Sequence, residues 1–269
     1  MRDHQGDVGE RTAAAVEAHC RAAIDAAGPA CVAIKPQLAC FERLGAPGIA
    51  ALYGVAAYAR EAGLLVLADG KRGDVPVTAR AYAQFLVGST PGEFGDVPGL
   101  GADAFTANPL LGRDSLEPLV EAARSAGACM FCLVRTSNPG AADIEDVPAP
   151  TEPLHERLAA IVRELGADGI TGCGLSDVGA VTGATRPDML ARLRELMPHA
   201  IFLLPGVGAQ GGSVDLLGPA FAPHPAAGLV TASRSIVDAY RSSGGDPAVA
   251  AAAAAQELRS TAWTLAARS

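Results

Sequence analysis

Short apolar runs alternate with amphipathic, helix-like segments along the chain, and this alternation restricts the possible folds more than any other feature. Glycine or proline punctuates many of the boundaries. Because strands that alternate with helices usually pair in parallel, the pattern predicts an α/β fold with a parallel sheet. The seven apolar runs cover residues 31–35, 64–69, 104–107, 128–134, 178–183, 201–205 and 228–232. The helical segments include residues 12–27, 48–62, 115–126, 152–165 and 187–197.

The runs are apolar almost throughout, which indicates strands buried on both faces, as in a (β/α) barrel or a doubly wound sheet. We favour the barrel because such barrels place phosphate sites after their last two strands. The glycine-rich segment 205–212 and the arginine-bearing segment 231–235 occupy those positions here. A barrel of this kind has eight strands, and no strand-like run precedes the helix at 12–27.

We therefore predict one domain over residues 1–269, a TIM-type barrel with seven strands and an opening between the first and the last of them. Residues 1–11 are polar, and we expect them to be disordered. Asp246 as the N-cap and Pro247 at the first helical position predict a closing helix over 246–268.

The charge balance excludes several classes of partner. The chain has 269 residues, with 21 Lys and Arg against 29 Asp and Glu, and a net charge of −8. Such a protein has no general electrostatic affinity for nucleic acids or anionic membranes, so neither is expected as a partner. No apolar run nears the roughly 18 residues of a transmembrane helix, and the polar start is unlike a signal peptide. We expect a cytoplasmic protein.

Cys129 and Cys132 have the C-x-x-C spacing of metal and redox sites. They lie in the apolar run 128–134, where residues three apart face opposite sides of a strand. We expect two buried thiols.

Charged residues cluster at the end of the second run, where Asp69, Lys71 and Asp74 follow one another closely. Residues two apart on a strand share a face, so Asp69 and Lys71 point the same way, toward the mouth where barrels place their active sites. Flanking carboxylates keep a lysine protonated, which favours a proton donor over a Schiff-base nucleophile. Lys35 ends the preceding run in the same position. From spacing alone, a solvated ion pair at the strand end explains Asp69, Lys71 and Asp74 about as well. For Lys35 taken by itself, a lysine that reaches solvent from a strand terminus is the favoured interpretation.

The segment 205–212 supplies glycines whose backbone N–H groups can approach an anion, with Gln210 as a side-chain donor. Arg234 opens the next helix, so its guanidinium and the helix N-terminus can both meet a phosphate. The G-x-G-x-x-G-like spacing within 205–212 lacks the strand-first context of an early βαβ unit. We therefore discount a dinucleotide site.

Six motifs, in the right order, resemble the orotidine 5′-monophosphate decarboxylase family, in its bacterial variant with K-R-G-D and T-S-N-P signatures. The resemblance covers about residues 12–268. The motifs are D-G-K-R-G-D at 69–74, K-P-Q at 35–37 with F-E-R-L-G at 41–45, T-S-N-P at 136–139, G-A-T-R-P at 183–187, P-G-V-G-A-Q-G-G at 205–212 and Ser-Arg at 233–234.

The resemblance implies a (β/α)8 barrel of the ribulose-phosphate-binding type, forming a homodimer with active sites at the subunit interface. It implies conversion of orotidine 5′-monophosphate to UMP and CO2 in pyrimidine biosynthesis, with no cofactor and no metal. Lys71 would protonate C6 as CO2 leaves, and Asp69 would face the substrate carboxylate. The charged tetrad would be Lys35, Asp69, Lys71 and Asp74.

The resemblance also implies which residues bind the nucleotide. Thr78 would lie near the ribose hydroxyls, Ser137 would hydrogen-bond the pyrimidine, and Gln210 and Arg234 would hold the 5′-phosphate. Asp74 and Thr78 would reach into the partner's site.

Three positions depart from the family pattern. Pro76 stands where a small flexible residue is usual, which removes a backbone donor. Leu110 stands where a Tyr is usual. The first strand, with its Asp-Pro end, has no counterpart before residue 28, and a seven-strand barrel leaves two unpaired edges. We expect either that the natural product begins upstream of Met1 and supplies this strand, or that another element fills the gap.

Two other functions stay open at this stage. A related Mg²⁺-dependent sugar-phosphate lyase or decarboxylase would use the same D-x-K-x-x-D group with further carboxylate ligands, but the T-S-N-P segment speaks against it. A non-catalytic homologue that binds nucleotide phosphates would fit the missing strand.

Overall fold

The computed structural model describes residues 7–150, 152–208 and 210–268. Within them, seven parallel strands form one curled sheet in which each strand pairs with the next along the chain. All seven predicted runs are therefore strands, and their order is that of a barrel. The strands are β1 (Ala33–Ile34), β2 (Leu65–Arg72), β3 (Ala104–Ala107), β4 (Cys129–Arg135), β5 (Val178–Thr182), β6 (Phe202–Leu204) and β7 (Gly228–Val230).

Helices cover the outside of the sheet. In the described ranges, none is both long and apolar enough to span a bilayer. They are α1 (Val8–Ala27), α2 (Leu38–Glu42), α3 (Gly45–Glu61), α4 (Pro76–Leu86), α5 (Arg113–Ala126), α6 (Leu154–Gly166), α7 (Pro187–Leu196), α8 (Arg234–Val237), α9 (Tyr240–Ser243) and α10 (Pro247–Ala266). Two small hairpins pair Ser89–Thr90 with Val97–Pro98, and Pro148–Ala149 with Glu152–Pro153.

Both long terminal helices begin at acidic caps. Asp246 accepts the N–H groups of the second and third residues of α10, as the sequence predicts. At α1, the Asp7 carboxylate accepts the Glu10 N–H at 2.9 Å, and the Glu10 carboxylate accepts the Asp7 N–H at 3.1 Å. This reciprocal capping box starts the helix at Val8. The expectation of a disordered start is therefore wrong for residues 8–11, and residues 1–6 lie outside the described residues.

The barrel is open between β1 and β7, as predicted. Across the described part of the chain, β1 pairs only with β2 and β7 only with β6, so each strand has one free edge. Behind this opening, Ala27 of α1 packs in one cluster with Ala251 and Ala255 of α10 and Ile236 of α8. Helices α1, α8 and α10 therefore pack together at the position where β1 and β7 do not pair.

Side chains alternate between the barrel interior and the helix layer. Leu67, Phe131 and Leu203 belong to the interior cluster, and neighbouring strand residues pack outward against the helices. Cys129 packs against the interior cluster and Cys132 lies in the outer one, so the two thiols face opposite sides of β4, as predicted. Burial raises the pKa of each to about 12. Both are free thiols; Cys132 is buried and Cys129 is half-buried.

Gly179 has no side chain, and the Phe131 ring fills the space in the barrel interior that a side chain there would occupy. A Cβ atom on Gly179 would lie 2.6 Å from the Phe131 ring and 2.6 Å from the Ile201 carbonyl oxygen. We expect Gly179→Ala to lower the free energy of unfolding by about 1–3 kcal/mol, measured by urea denaturation, because overpacking forces the barrel interior apart. Gly172→Ala is the control, since a Cβ there meets nothing within 4 Å. Equal unfolding free energies for the two variants would contradict this packing argument.

Candidate active site

The pairing of β1 with β2 brings Lys35 and Asp69 together. Beyond β1, the Asp69 N–H donates to the Pro36 carbonyl at 3.0 Å, and Gln37 forms a parallel bridge with Asp69. Lys35 Nζ then lies 2.5 Å from Asp69 Oδ2, and Gln37 Nε2 lies 3.4 Å from the same oxygen. The register of two adjacent strands therefore sets this contact.

Lys71 completes the cluster, with its Nζ 2.6 Å from Asp69 Oδ1. The two side chains point the same way, as the sequence predicts, but not through regular strand alternation. Lys71 has φ +48°, in the left-handed region, and the pairing of β2 with β3 shifts register between Ala68 and Arg72. Non-glycine residues in this region are strained, and such strain concentrates at functional sites.

The two glycines of the D-G-K-R-G-D motif are required by close approaches. A Cβ atom on Gly70 would lie 2.6 Å from Leu38 Cδ1, and one on Gly73 would lie 2.5 Å from the Asn108 carbonyl oxygen. No side chain fits at either position unless its neighbours move. The motif is therefore also a steric requirement of the turn that presents Lys71.

Asp69 is buried, with 5% of its surface exposed. Burial by itself raises the pKa of this carboxyl, but the charges and hydrogen bonds of Lys35 and Lys71 outweigh it and hold the pKa below its ordinary range. Thr106 adds a further hydrogen bond, since its Oγ1 donates to Asp69 Oδ1 at 2.9 Å. Each carboxylate oxygen thus has two donors, and Asp69 is a fixed anion at the mouth.

Asp74 does not join this cluster within one chain. Its Oδ1 accepts the Val75 N–H at 2.7 Å, and no contact in the described ranges links it to Lys71. Only Asp69 therefore flanks Lys71 here, where the sequence suggested two carboxylates. Thr78 is half-buried in the first turn of α4. Pro76 opens that helix, where an N–H would have no intrahelical partner, so this departure from the family pattern is well accommodated.

Ser137 lies between the loops that follow β5 and β6. Thr185 Oγ1 donates to the Ser137 carbonyl at 3.1 Å. A Cβ atom on Gly183 would lie 2.8 Å from Ser137 Cα. One on Gly206 would lie 3.0 Å from Ser137 Cβ and 3.3 Å from Gln210 Oε1. Ser137 and Gln210 therefore flank the same short stretch of backbone.

A charged cluster that the sequence did not reveal holds the two residues that precede Ser137, Arg135 and Thr136. Arg135, 5% exposed, donates from Nε and Nη2 to the two carboxylate oxygens of Asp146 at 2.8 and 3.0 Å. These hydrogen bonds hold the pKa of Asp146 below its ordinary range. Glu145 accepts the Thr136 N–H at 2.8 Å and the Thr136 hydroxyl at 3.0 Å. Both acidic residues come from the segment after β4, which folds back onto the strand end.

The segment 205–212 is hydrogen-bonded to itself, contrary to the expectation that its glycine amides are free for an anion. The N–H of Gly208 donates to the Gly212 carbonyl, that of Gly211 to the Gly208 carbonyl, and that of Gly212 to the Gly206 carbonyl, at 3.0, 2.8 and 3.0 Å. Within this segment, Ala209 lies outside the described residues. The loop therefore shapes the rim, and these three amides are not available to a ligand.

Arg234 and Gln210 are both exposed on this side of the mouth. No carboxylate in the described ranges pairs with Arg234. A Cβ atom on Gly208 would lie 2.9 Å from Ser235 Cβ, so the loop lies against the start of α8. Because α8 is a single turn, its dipole is small, and the predicted helix N-terminus contributes little. The Arg234 guanidinium and the Gln210 amide are exposed groups at this rim that can donate hydrogen bonds to an anion.

Sequence reasoning missed two parts of the site. Thr106 had a detectable signal, because it is a hydroxyl residue two positions after the interior residue Ala104 of an otherwise apolar strand. The Arg135 cluster had none, since its partners lie in a loop whose course the sequence does not predict. Among the described residues, no group of three or more His, Cys, Asp or Glu side chains is placed to hold a metal ion.

Comparisons with known proteins agree on one family. The model of the orotidine 5′-phosphate decarboxylase / HUMPS family matches residues 12–254. An orotidine 5′-phosphate decarboxylase from Rhodopirellula baltica is 43% identical over 232 residues, which are 86% of this chain and 76% of that protein. One from Deinococcus radiodurans is 44% identical over 214 residues, 79% of this chain and 74% of that protein.

Solved structures show the same likeness. A structure described as a putative orotidine 5′-phosphate decarboxylase from Streptomyces avermitilis superposes with a TM-score of 0.79 at 33% identity, over 95% of this chain and 84% of that one. The Leishmania donovani OMP decarboxylase gives a TM-score of 0.74 at 32% identity, over 93% of this chain and 89% of that one.

The lowered pKa of Asp69 makes its contribution to stability depend on pH. Because the folded-state pKa lies below the unfolded value of about 3.9, the contribution is complete above that value and is lost as the pH falls through the folded-state pKa. We expect the difference in unfolding free energy between wild type and Asp69→Asn to shrink between pH 6 and pH 3. The expected change is only on the order of 1 kcal/mol, because both lysines are partly hydrated and water screens their charges. Denaturant unfolding at each pH measures it. A difference that does not change with pH would refute the assignment.

Proposed function

Because the chain belongs to the orotidine 5′-phosphate decarboxylase / HUMPS family, we propose that its site converts orotidine 5′-monophosphate to UMP and CO2 in the cytoplasm. Its relatives at 43–44% identity are decarboxylases of this name, so the chain is a carboxy-lyase of pyrimidine biosynthesis. The observation that carries the proposed chemistry is the Asp69 carboxylate held between the Lys35 and Lys71 ammonium groups at the mouth.

Lys71 is the proton donor in this proposal. When the bond between C6 and the carboxylate breaks, CO2 leaves and the electron pair stays on C6. A preorganised ammonium group stabilises that developing charge. The Lys71 N–H bond then breaks as the new C6–H bond forms, and the neutral amine regains a proton from water. Asp69 faces the substrate carboxylate, and the repulsion between the two anions is relieved as CO2 departs.

The remaining predicted residues hold the nucleotide. Arg234 and Gln210 bind the 5′-phosphate, Ser137 hydrogen-bonds the pyrimidine, and Thr78 lies near the ribose hydroxyls of the partner's site. The phosphate does not react, so its binding energy can hold the substrate carboxylate against Asp69. Arg234 supports this assignment, since it is exposed and pairs with no carboxylate of the described residues.

The surface beside the site supports the proposal of a homodimer. Val75 and Val77 after β2 and Leu110 after β3 are 53%, 73% and 76% exposed. The two loops touch, since the Asn108 N–H donates to the Arg72 carbonyl at 2.8 Å. Exposed apolar side chains on two adjoining segments suit a protein interface. We propose that a second copy covers it, which carries Asp74 and Thr78 into the partner's site.

The direct test is a decarboxylation assay with orotidine 5′-monophosphate, run with and without EDTA. We expect release of CO2 and UMP that EDTA does not change. Activity that EDTA abolishes would favour the metal-dependent alternative, and UMP binding without turnover would favour a non-catalytic homologue.

Lys71→Ala and Arg234→Ala should fail in different ways. Loss of the proton donor should lower kcat at least about a hundredfold and leave the Kd for UMP within about threefold. Loss of the guanidinium should raise the Kd for UMP and the KM about ten- to a hundredfold, because charged hydrogen bonds to phosphate are lost. Steady-state kinetics and calorimetry measure both. Substantial turnover by Lys71→Ala would rule out its proposed role.

Shared sites predict complementation. A mixture of inactive Lys71→Ala and Asp74→Ala proteins should recover up to about a quarter of wild-type activity after subunit exchange, because one site of each mixed dimer carries both lesions and the other neither. Lys71→Ala mixed with Arg234→Ala is the control. Both of those residues act in their own chain's site, so no recovery is expected at low substrate concentration. Equal recovery in the two mixtures, or none in either after confirmed exchange, would contradict shared sites.

A further inference from the structure

The Thr106 hydroxyl links the backbone of Lys71 to the Asp69 carboxylate. Thr106 is 1% exposed, on the interior side of β3. Its Oγ1 accepts the Lys71 N–H at 2.8 Å and lies 2.9 Å from Asp69 Oδ1. An ionised carboxylate can only accept and an N–H can only donate, so the hydroxyl must donate to Asp69 and accept from Lys71. Both hydrogen bonds therefore have a fixed direction.

These two hydrogen bonds act where the chain is strained. Lys71 is the one non-glycine residue with positive φ among those described, and a non-glycine residue in this conformation is strained. The bond from its N–H to Thr106 holds that backbone. The bond from Thr106 to Oδ1 orients the carboxylate oxygen that Lys71 Nζ also contacts, at 2.6 Å. One hydroxyl thus fixes both the base and the tip of the lysine side chain.

We propose that Thr106 is a positioning residue for the decarboxylation: it holds the Lys71 ammonium group in the place from which it transfers its proton. This inference rests on the proposed function. In this role Thr106 acts through Lys71 and Asp69 and not on the substrate. Small misplacements of a reacting group can cost about a hundredfold in rate, so the hydroxyl matters to kcat and not to nucleotide binding.

Thr106→Val keeps the shape of the side chain and removes both hydrogen bonds. We expect kcat to fall about ten- to a hundredfold, while the KM for orotidine 5′-monophosphate and the Kd for UMP stay within about twofold. Thr106→Ser keeps the hydroxyl and should restore kcat to within about threefold of wild type. Thr106→Ala replaces the valine variant if the latter does not fold, as judged by circular dichroism.

Thr182→Val is a matched control. Thr182 is the last residue of β5, is fully buried like Thr106, and its Oγ1 has no hydrogen-bond partner among the described residues. It follows the interior residue Val181, so its side chain faces the helix layer. Removing this hydroxyl should change neither kcat nor KM.

Each result decides the question. Unchanged kcat in both Thr106→Val and Thr106→Ala overturns the inference. It is also overturned if kcat, UMP affinity and melting temperature fall together and the serine variant restores none of them, because the role is then structural. A wild-type protein that neither binds UMP nor releases CO2 would overturn the proposed function, and the inference would fall with it. If wild type turns over and only Thr106→Val loses kcat, both stand.

Discussion

The mouth of the barrel is organised by one buried carboxylate. One carboxylate oxygen of Asp69 accepts hydrogen bonds from Lys35 and Gln37, and the other accepts them from Lys71 and Thr106. Donors from three neighbouring strand ends therefore converge on a single group. Without it, two ammonium groups would face each other in a partly dehydrated space, where like charges repel more strongly than in water. Asp69 therefore allows positive charge to be concentrated at the mouth. In the proposed reaction, this is where the carbanion forms and where Asp69 faces the substrate carboxylate.

The sequence predicts the parts of the structure that depend on local pattern. All seven strands are recognisable because strands buried on both faces are apolar almost throughout, and the caps of α10 follow from Asp246 and Pro247. The Lys35–Asp69–Lys71 cluster is also predicted, because parallel pairing sets the strand ends side by side. The left-handed backbone at Lys71 is not, since strand alternation alone puts it on the same face as Asp69 and gives no hint of strain.

What the sequence does not predict depends on where loops fold. Glu145 and Asp146 reach Thr136 and Arg135 only because the segment after β4 turns back, a course that no periodicity encodes. The segment 205–212 has the composition of an anion cradle, yet three of its amides bond to its own carbonyls. Composition shows that glycine amides can approach a ligand, and only the loop conformation shows whether they are already used.

The open seam separates the two halves of the proposed site. The charge cluster stands at the ends of β1 to β3, and Arg234 follows β7, on the other side of the gap. With no direct pairing between β1 and β7 among the described residues, two connections hold these halves at a fixed separation. One is the series of strand pairs around the sheet, and the other is the packing of Ala27 against Ala251 and Ala255 behind the seam. The proposed function requires the phosphate to be bound at the distance that brings C6 to Lys71. In that proposal, the contact between α1 and α10 helps to fix this distance, which in a closed barrel is fixed by the pairing of the strands.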